Sequence, residues 1–201
     1  MKKLEIIEST MMPLPMSNVD TDQIMPKQFL KRIERSGYGE YLFYDWKKDM
    51  NGNLDPNFPL NDEVYKDAKV LVAGSNFGTG SSREHAPWGL QDWCFDAIIS
   101  TNFADIFKNN CLNIGLLPIE VSADIVEELF KLIQEDPKTI IEISVEERCL
   151  KCSKVSTGFM LDDFSKQKLL LGQDQIDITL EHQDLISKFS KDRKKLIPNL
   201  D

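Results

Sequence analysis

Lys69-Val70-Leu71-Val72-Ala73-Gly74-Ser75-Asn76-Phe77-Gly78-Thr79-Gly80-Ser81-Ser82-Arg83-Glu84-His85 is the stretch whose reading decides the fold. It opens with a short apolar run, passes through a glycine and serine loop at 74–82 and enters residues 83–93, which carry helical spacing. Strand, loop and helix in that order form half of an α/β unit. The pattern then repeats with a strand at 97–100, a helix at 104–110 and a strand at 115–119. This alternation predicts an α/β fold containing parallel strands.

Further along, 123–134 reads as a helix, 139–145 and 149–155 as short strands pairing in a hairpin of a β-rich layer, and 161–190 as helical. Upstream, 4–8 reads as a first strand. The stretch 13–22, punctuated by Pro13, Pro15, Asp20 and Asp22, reads as an ordered loop, 27–34 as helical, and 37–59 as a long connection rich in Gly, Asn, Asp, Pro and aromatic residues. No internal repeat, low-complexity tract or linker divides the chain. A length of 201 residues suits one domain spanning 1–201, with a helical C-terminal extension at about 161–201.

Composition narrows the function classes. With 41% hydrophobic and 28% charged residues the chain reads as an ordinary globular protein. A net charge of −9 argues against nucleic acid and acidic membranes, which are bound by clustered Lys and Arg; the short basic run 191–195 reads as a solvated face. No segment approaches the roughly 18 apolar residues of a membrane span and no leader peptide is evident, so a cytoplasmic location is expected. Cys94, Cys111, Cys149 and Cys152 then read as reduced thiols.

The loop at 74–82 carries the chemistry. Gly74, Gly78 and Gly80 let backbone approach a ligand closely, and the following helix N-terminus adds partial positive charge, a setting for a carboxylate, phosphate or oxyanion. A phosphate-binding P-loop requires Lys after the glycines, and none stands there. The dinucleotide fingerprint requires glycine where Arg83 stands, and a nucleophile elbow requires a second glycine that Gly80-Ser81-Ser82-Arg83 lacks. On residue type alone, Ser81 and Ser82 serve equally well as helix caps. Asp20-Thr21-Asp22 serves equally well as turn and cap chemistry.

Gly78-x-Gly80-Ser81-Ser82-Arg83-Glu84-His85, with Asn76 before it, resembles the active-site signature of the swivelling domain of the aconitase superfamily. The resemblance runs along nearly the whole chain: 18–27 (Asn-Val-Asp-Thr-Asp-Gln-Ile-Met-Pro-Lys), Gly39-x3-Phe43-x-Asp45-Trp46, 102–107 and 113–118 are similar to the small subunits of 3-isopropylmalate dehydratases. Thr79 departs from the Cys common in bacterial relatives.

The resemblance implies an aconitase-like swivelling domain: a mixed sheet with β/β/α layering and flanking helices. It implies a hydro-lyase that moves a hydroxyl between adjacent carbons of a small dicarboxylate. By carry-over, Ser81 is the catalytic base, while Ser82 and Arg83 bind a substrate carboxylate. Asp20, Thr21, Asp22, Asn76, Gly78, Gly80 and His85 form the supporting loops. Arg35 is a weaker carboxylate contact, in a variable specificity region where a solvated helix face is the plainer reading. The family's [4Fe-4S] cluster belongs to a separate large subunit, so this chain is expected to bind no metal or cofactor and to require that partner. Three other readings stay open at this level: the same chemistry on another hydroxy-dicarboxylate, a thiol or metal module using Cys149 and Cys152, and a purely structural subunit.

Overall fold

The computed structural model describes residues 1–30 and 36–193. Its elements, in chain order, are β1 (Ile6–Leu14), α1 (Thr21–Ile24), α2 (Tyr44–Lys47), β2 (Val70–Ala73), α3 (His85–Asp92), β3 (Ala97–Ser100), α4 (Asp105–Ile114) and β4 (Leu117–Glu120). There follow α5 (Ala123–Glu135), β5 (Ile140–Ser144), β6 (Cys149–Cys152), β7 (Val155–Gly158), α6 (Asp163–Leu171), α7 (Gln175–Leu180) and α8 (Gln183–Arg193). The strands form one mixed sheet in the order β4-β3-β2-β1-β5-β6-β7. β4 through β1 are parallel and β1-β5-β6-β7 antiparallel.

β1 joins the two halves. Met11 to Leu14 pair with Val70 to Ala73, whereas Ile6 to Thr10 pair with Ser144 to Ile140. The strand therefore runs well beyond the expected 4–8 and through Pro13, which the sequence reading placed in a loop. The Gly74 N–H donates to the Leu14 carbonyl, so Leu14 faces β2 and Pro13, one residue back, faces the other edge, beyond the end of the β5 pairing. A residue without an N–H is harmless there.

Val70, Leu71, Val72 and Ala73 are all fully buried because both faces of this half of the sheet are covered. Alternation sends Val70 and Val72 to a core shared with Val126, Leu129 and Ile133 of α5. Leu71 and Ala73 enter a second core with Ala86 and Leu90 of α3 and Phe107 and Cys111 of α4. Burying each such aliphatic side chain is worth about 1.5–3 kcal/mol. α5 touches β1, β2 and also β7 at the far end, so the sheet curls around it. Ile141, Ile143, Leu150, Cys152 and Val155 of the antiparallel half close that core.

Three further segments differ from their sequence reading. The described part of 27–34 is a single 3-10 turn at Lys27–Phe29, and residues 31–35, including Arg35, lie outside the described residues. The expected hairpin gains a third strand, β7, because the tight turn at Ser153, with positive φ, sends the chain straight back along β6. Residues 161–190 are three helices rather than one: α6 ends on Gly172 in the left-handed region, and Asp174 caps α7 by accepting from the Ile176 and Asp177 N–H groups. Among the described residues no helix is long and apolar enough to cross a membrane.

Candidate active site

Loops leaving the C-terminal ends of adjacent parallel strands emerge at one edge of the sheet, where α/β folds hold their ligands. Here three meet: 15–20 after β1, 74–84 after β2 and 101–104 after β3. They are tied together by hydrogen bonds. The N–H groups of Gly78 and Thr79 donate to the Val19 carbonyl at 2.8 and 3.2 Å, and the Thr21 N–H donates to the Thr79 carbonyl at 2.8 Å. Asn76 donates from its side chain to the Asn18 side chain at 2.8 Å and from its backbone to the Asn102 side chain at 2.9 Å.

Two glycines are required by this approach. A Cβ on Gly74 would stand 2.5 Å from the Met16 carbonyl oxygen, and one on Gly78, whose φ is +79°, would stand 2.2 Å from Cγ of Phe107. Gly80 also has positive φ, +90°, and turns the chain so that Ser81 and Ser82 are exposed at the rim. Most of the loop's amides are engaged in this scaffold: those of residues 74–79 all donate within the chain. Among the described residues the N–H groups of Gly80, Ser81 and Ser82 take no partner, leaving three consecutive donors open for an anion.

The Ser81 carbonyl accepts two hydrogen bonds at 2.8 Å, from the Thr21 hydroxyl and from the Arg83 N–H, and these fix the turn. Arg83 is ion-paired with Asp22, and its other terminal nitrogen, Nη2, lies 3.4 Å from Ser81 Oγ. The second oxygen of Asp22 receives Lys27 at 3.2 Å. Asp22 is in turn positioned by Asp20, whose carboxylate caps α1 by accepting from the Asp22 and Gln23 N–H groups.

The serines are not helix caps. α3 starts at His85, later than the expected residue 83, and Glu84 at its cap position makes no side-chain bond to the helix. His85 packs edge-on to Tyr38, with ring centroids 5.3 Å apart, and at 4.7 Å from Trp88. Burial holds its pKa below the ordinary value; the Arg83 charge pushes the same way and Glu84 opposes it. A histidine so placed wedges the start of α3 and stays neutral at pH 7. Thr79 turns its hydroxyl back to the Val19 carbonyl, 3.5 Å away, where it supports the loop crossing.

A cavity of about 240 Å³ opens between these elements, lined by Thr21, Gly78, Gly80, Ser81, Ser82, Arg83 and residues 104–107. Of the expected site residues the structure brings together Thr21, Gly78, Gly80, Ser81, Ser82 and Arg83 on the cavity wall. Asp20, Asp22, Asn76 and His85 stand behind it. Sequence reasoning missed the start of α4: Ala104, Asp105, Ile106 and Phe107 form the opposite wall, and exposed Ile106 supplies an apolar surface. The signal was present, since 102–104 follow the strand next to β2. A larger cleft of about 560 Å³, lined by Trp46, Phe58 and three aspartates, contains neither a basic guanidinium nor the open amides.

The thiols do not assemble a metal site. Cys149 and Cys152 are three apart on β6 and so face opposite sides of the strand, Cys152 into the core. Burial pushes the Cys111 and Cys152 thiols above their usual range, which disfavours thiolate. Among the described residues no three His, Cys, Asp or Glu side chains are grouped so that they could hold a metal ion.

Residues 1–124 match the model of the Aconitase C-terminal domain family. The 3-isopropylmalate dehydratase small subunit of Rubrobacter xylanophilus is 43% identical over 200 residues, covering all of both chains. The chain belongs to this family of small subunits. That of Brevibacillus brevis is 46% identical over 182 residues, covering 90% of this chain and 94% of its own. The crystal structure of a 3-isopropylmalate dehydratase (leuD) from Methanocaldococcus jannaschii superposes with a TM-score of 0.64 at 25% identity, covering 91% of this chain and 98% of its own. Family and fold therefore agree with the architecture expected from the loop at 74–85, an aconitase-like mixed sheet with flanking helices.

Proposed function

We propose that this chain is the small subunit of a cytoplasmic 3-isopropylmalate dehydratase, a hydro-lyase of leucine biosynthesis that interconverts 2-isopropylmalate and 3-isopropylmalate and is active only with its large subunit. The observation that carries this reading is the cluster at the cavity mouth: Ser81 and Ser82 beside a guanidinium already oriented by Asp22, under three open amides.

The reaction requires that a proton leave a carbon next to a carboxylate while hydroxide leaves the neighbouring carbon, giving an alkene; rehydration in the opposite sense completes the exchange. Ser81 takes the proton on Oγ. A serine hydroxyl is far too weak an acid to serve unaided, so its anion draws stabilisation from the Arg83 charge 3.4 Å away, the open N–H groups of 80–82 and the adjoining start of α3. Arg83 receives a substrate carboxylate through its paired N–H donors, with Ser82 adding a hydroxyl. Asp22 holds the guanidinium plane in register, and residues 104–107 give the cavity a second wall. The thiols of this chain do not fit a [4Fe-4S] cluster, so the Lewis acid for hydroxide departure is assigned to the large subunit. We read residues 1–201 as one unit presenting this half-site to that partner.

The test is alkene formation from 3-isopropylmalate, followed by ultraviolet absorbance under anaerobic conditions, for the chain alone, for its complex with the large subunit, and for Ser81→Ala in that complex. Activity in the complex only, lost with Ser81→Ala, is expected. Activity of the chain alone, or full activity of the Ser81→Ala complex, overturns the reading.

A further inference from the structure

Gly39-x3-Phe43-x-Asp45-Trp46 is a motif that the catalytic chemistry leaves unused, and it leads into a fastened arm. Residues 48–54 form a narrow hairpin. Lys48 bridges antiparallel to Leu54, the Asp49 N–H donates to the Asn53 carbonyl at 2.8 Å, and the Asp49 carboxylate accepts from the N–H groups of Asn51 and Asn53. Asn61 clamps the base by donating to the Lys47 and Asp55 carbonyls at 2.7 and 2.8 Å. The arm nevertheless leaves Met50 fully exposed near its tip and Leu54 59% exposed. Leu54 lines the cleft of about 560 Å³ together with Met16, Trp46 and Phe58. Apolar side chains held in fixed positions and left to water mark an interaction surface.

Position and charge name the occupant. Met16 stands on the loop after β1, and its carbonyl packs against Gly74 of the catalytic loop. The cleft therefore borders the edge of the sheet on which the cavity opens, the edge a partner must cover to bring a Lewis acid to Ser81. Asp45, Asp49 and Asp55 also line the cleft, against Lys48 alone, whose ammonium lies 4.5 Å from the Tyr44 ring centroid. A second copy meeting this face with the same face would set carboxylate on carboxylate. Resting on the divided active site above, we propose that the 48–54 arm and its cleft are a seat for the large subunit, taking an apolar segment flanked by lysine or arginine. The segment lies on Met16, Leu54 and the Trp46 ring, its bases meet the three aspartates, and Met50 reaches onto the partner. The seat sets the two halves of the active site against each other.

The test measures binding, not turnover. The cluster-loaded large subunit is titrated anaerobically into the full chain by isothermal calorimetry. Met50→Glu with Leu54→Glu should weaken Kd roughly thirtyfold, as the loss of interface anchors does. Asp45→Lys should weaken it roughly fivefold and flatten its dependence on salt. Ile6→Glu, at the opposite end of β1, should leave it unchanged. All four positions are exposed, and circular dichroism with urea midpoints checks that each fold is kept. Wild type that binds, with the Met50/Leu54 double variant binding as tightly or Ile6→Glu weakening it as much, overturns this proposal alone. Wild type that binds no large subunit overturns the divided active site as well. A changed mass of the isolated double variant, with large-subunit binding unmoved, assigns the face to a second copy and also overturns the proposal.

Discussion

Arg83 does not stand free at the cavity mouth; it is ion-paired with Asp22, 61 positions earlier, while its other terminal nitrogen lies 3.4 Å from Ser81 Oγ. Charge-assisted hydrogen bonds are worth roughly 1.5–3 kcal/mol, or roughly ten- to a hundredfold in rate or affinity. Arg83→Lys keeps the charge but loses the fork, so kcat/KM of the assembled enzyme should fall roughly a hundredfold. Asp22→Asn keeps the shape but loses the anchor and should cost roughly tenfold. Steady-state kinetics decide; an Arg83→Lys enzyme within twofold of wild type would exclude the assigned role.

Gly78 combines positive φ with a Phe107 ring in the space a side chain would take. Gly78→Ala is expected to destabilise the fold by about 2–4 kcal/mol, the sum of backbone strain and overpacking, read from urea midpoints. The same substitution at Gly52, which also has positive φ but open surroundings, should cost about 1 kcal/mol, from the backbone alone.

Lys47 is buried, donates to the Glu40 carbonyl and lies with Nζ 5.4 Å from the Trp93 ring centroid. Burial, aided by Lys48, lowers its pKa from 10.5 to about 8. Between those two values the unfolded chain holds a proton that the folded chain has lost, so stability contributed by this group rises as pH climbs from 8 to 10.5. Comparing urea midpoints at pH 8 and pH 10, the rise in wild type should exceed that in Lys47→Met. Equal rises would show that the ammonium is not desolvated.

The two cysteines of β6 should respond oppositely to serine. Cys149→Ser, on the solvent side, is expected to be silent, whereas Cys152→Ser places an unpaired hydroxyl in the core and should cost about 1–3 kcal/mol. Iron content of the assembled complex should change with neither. Iron lost with either variant would restore the thiol reading.

What could be read in advance followed from how directly each residue reports its surroundings. Val70 to Ala73 and Ala97 to Ser100 are apolar runs covered on both faces, and their strands fall where the pattern puts them. The loop at 74–82 could be read as a turn between strand and helix open to an anion, but Ser81, Ser82 and Arg83 were singled out by the family resemblance, since residue type alone left the two serines equally as helix caps. Pro13 was misread because its tolerance depends on β5 ending at Thr10's register, a fact of another part of the chain. Ile106 stood in the family-like run 102–107, but its place on the cavity wall beside Ser81 was not read, because that depends on the order of β2 and β3 in the sheet. The assignment of Asp22 to Arg83 was open in the sequence, since an aspartate after a turn looks alike whether it faces water or a guanidinium.

The bonds that bind residues 17–21 to 75–81 all join positions about 60 apart, and none is local to either loop. The open amides at 80–82 therefore exist as a nest only while both loops are docked, and a chain in which β1 has yet to meet β2 has no anion site at all. Amide exchange at Gly78, Thr79 and Thr21 should then occur through one shared opening, so that reactivity and the completed topology appear and vanish as a single cooperative unit.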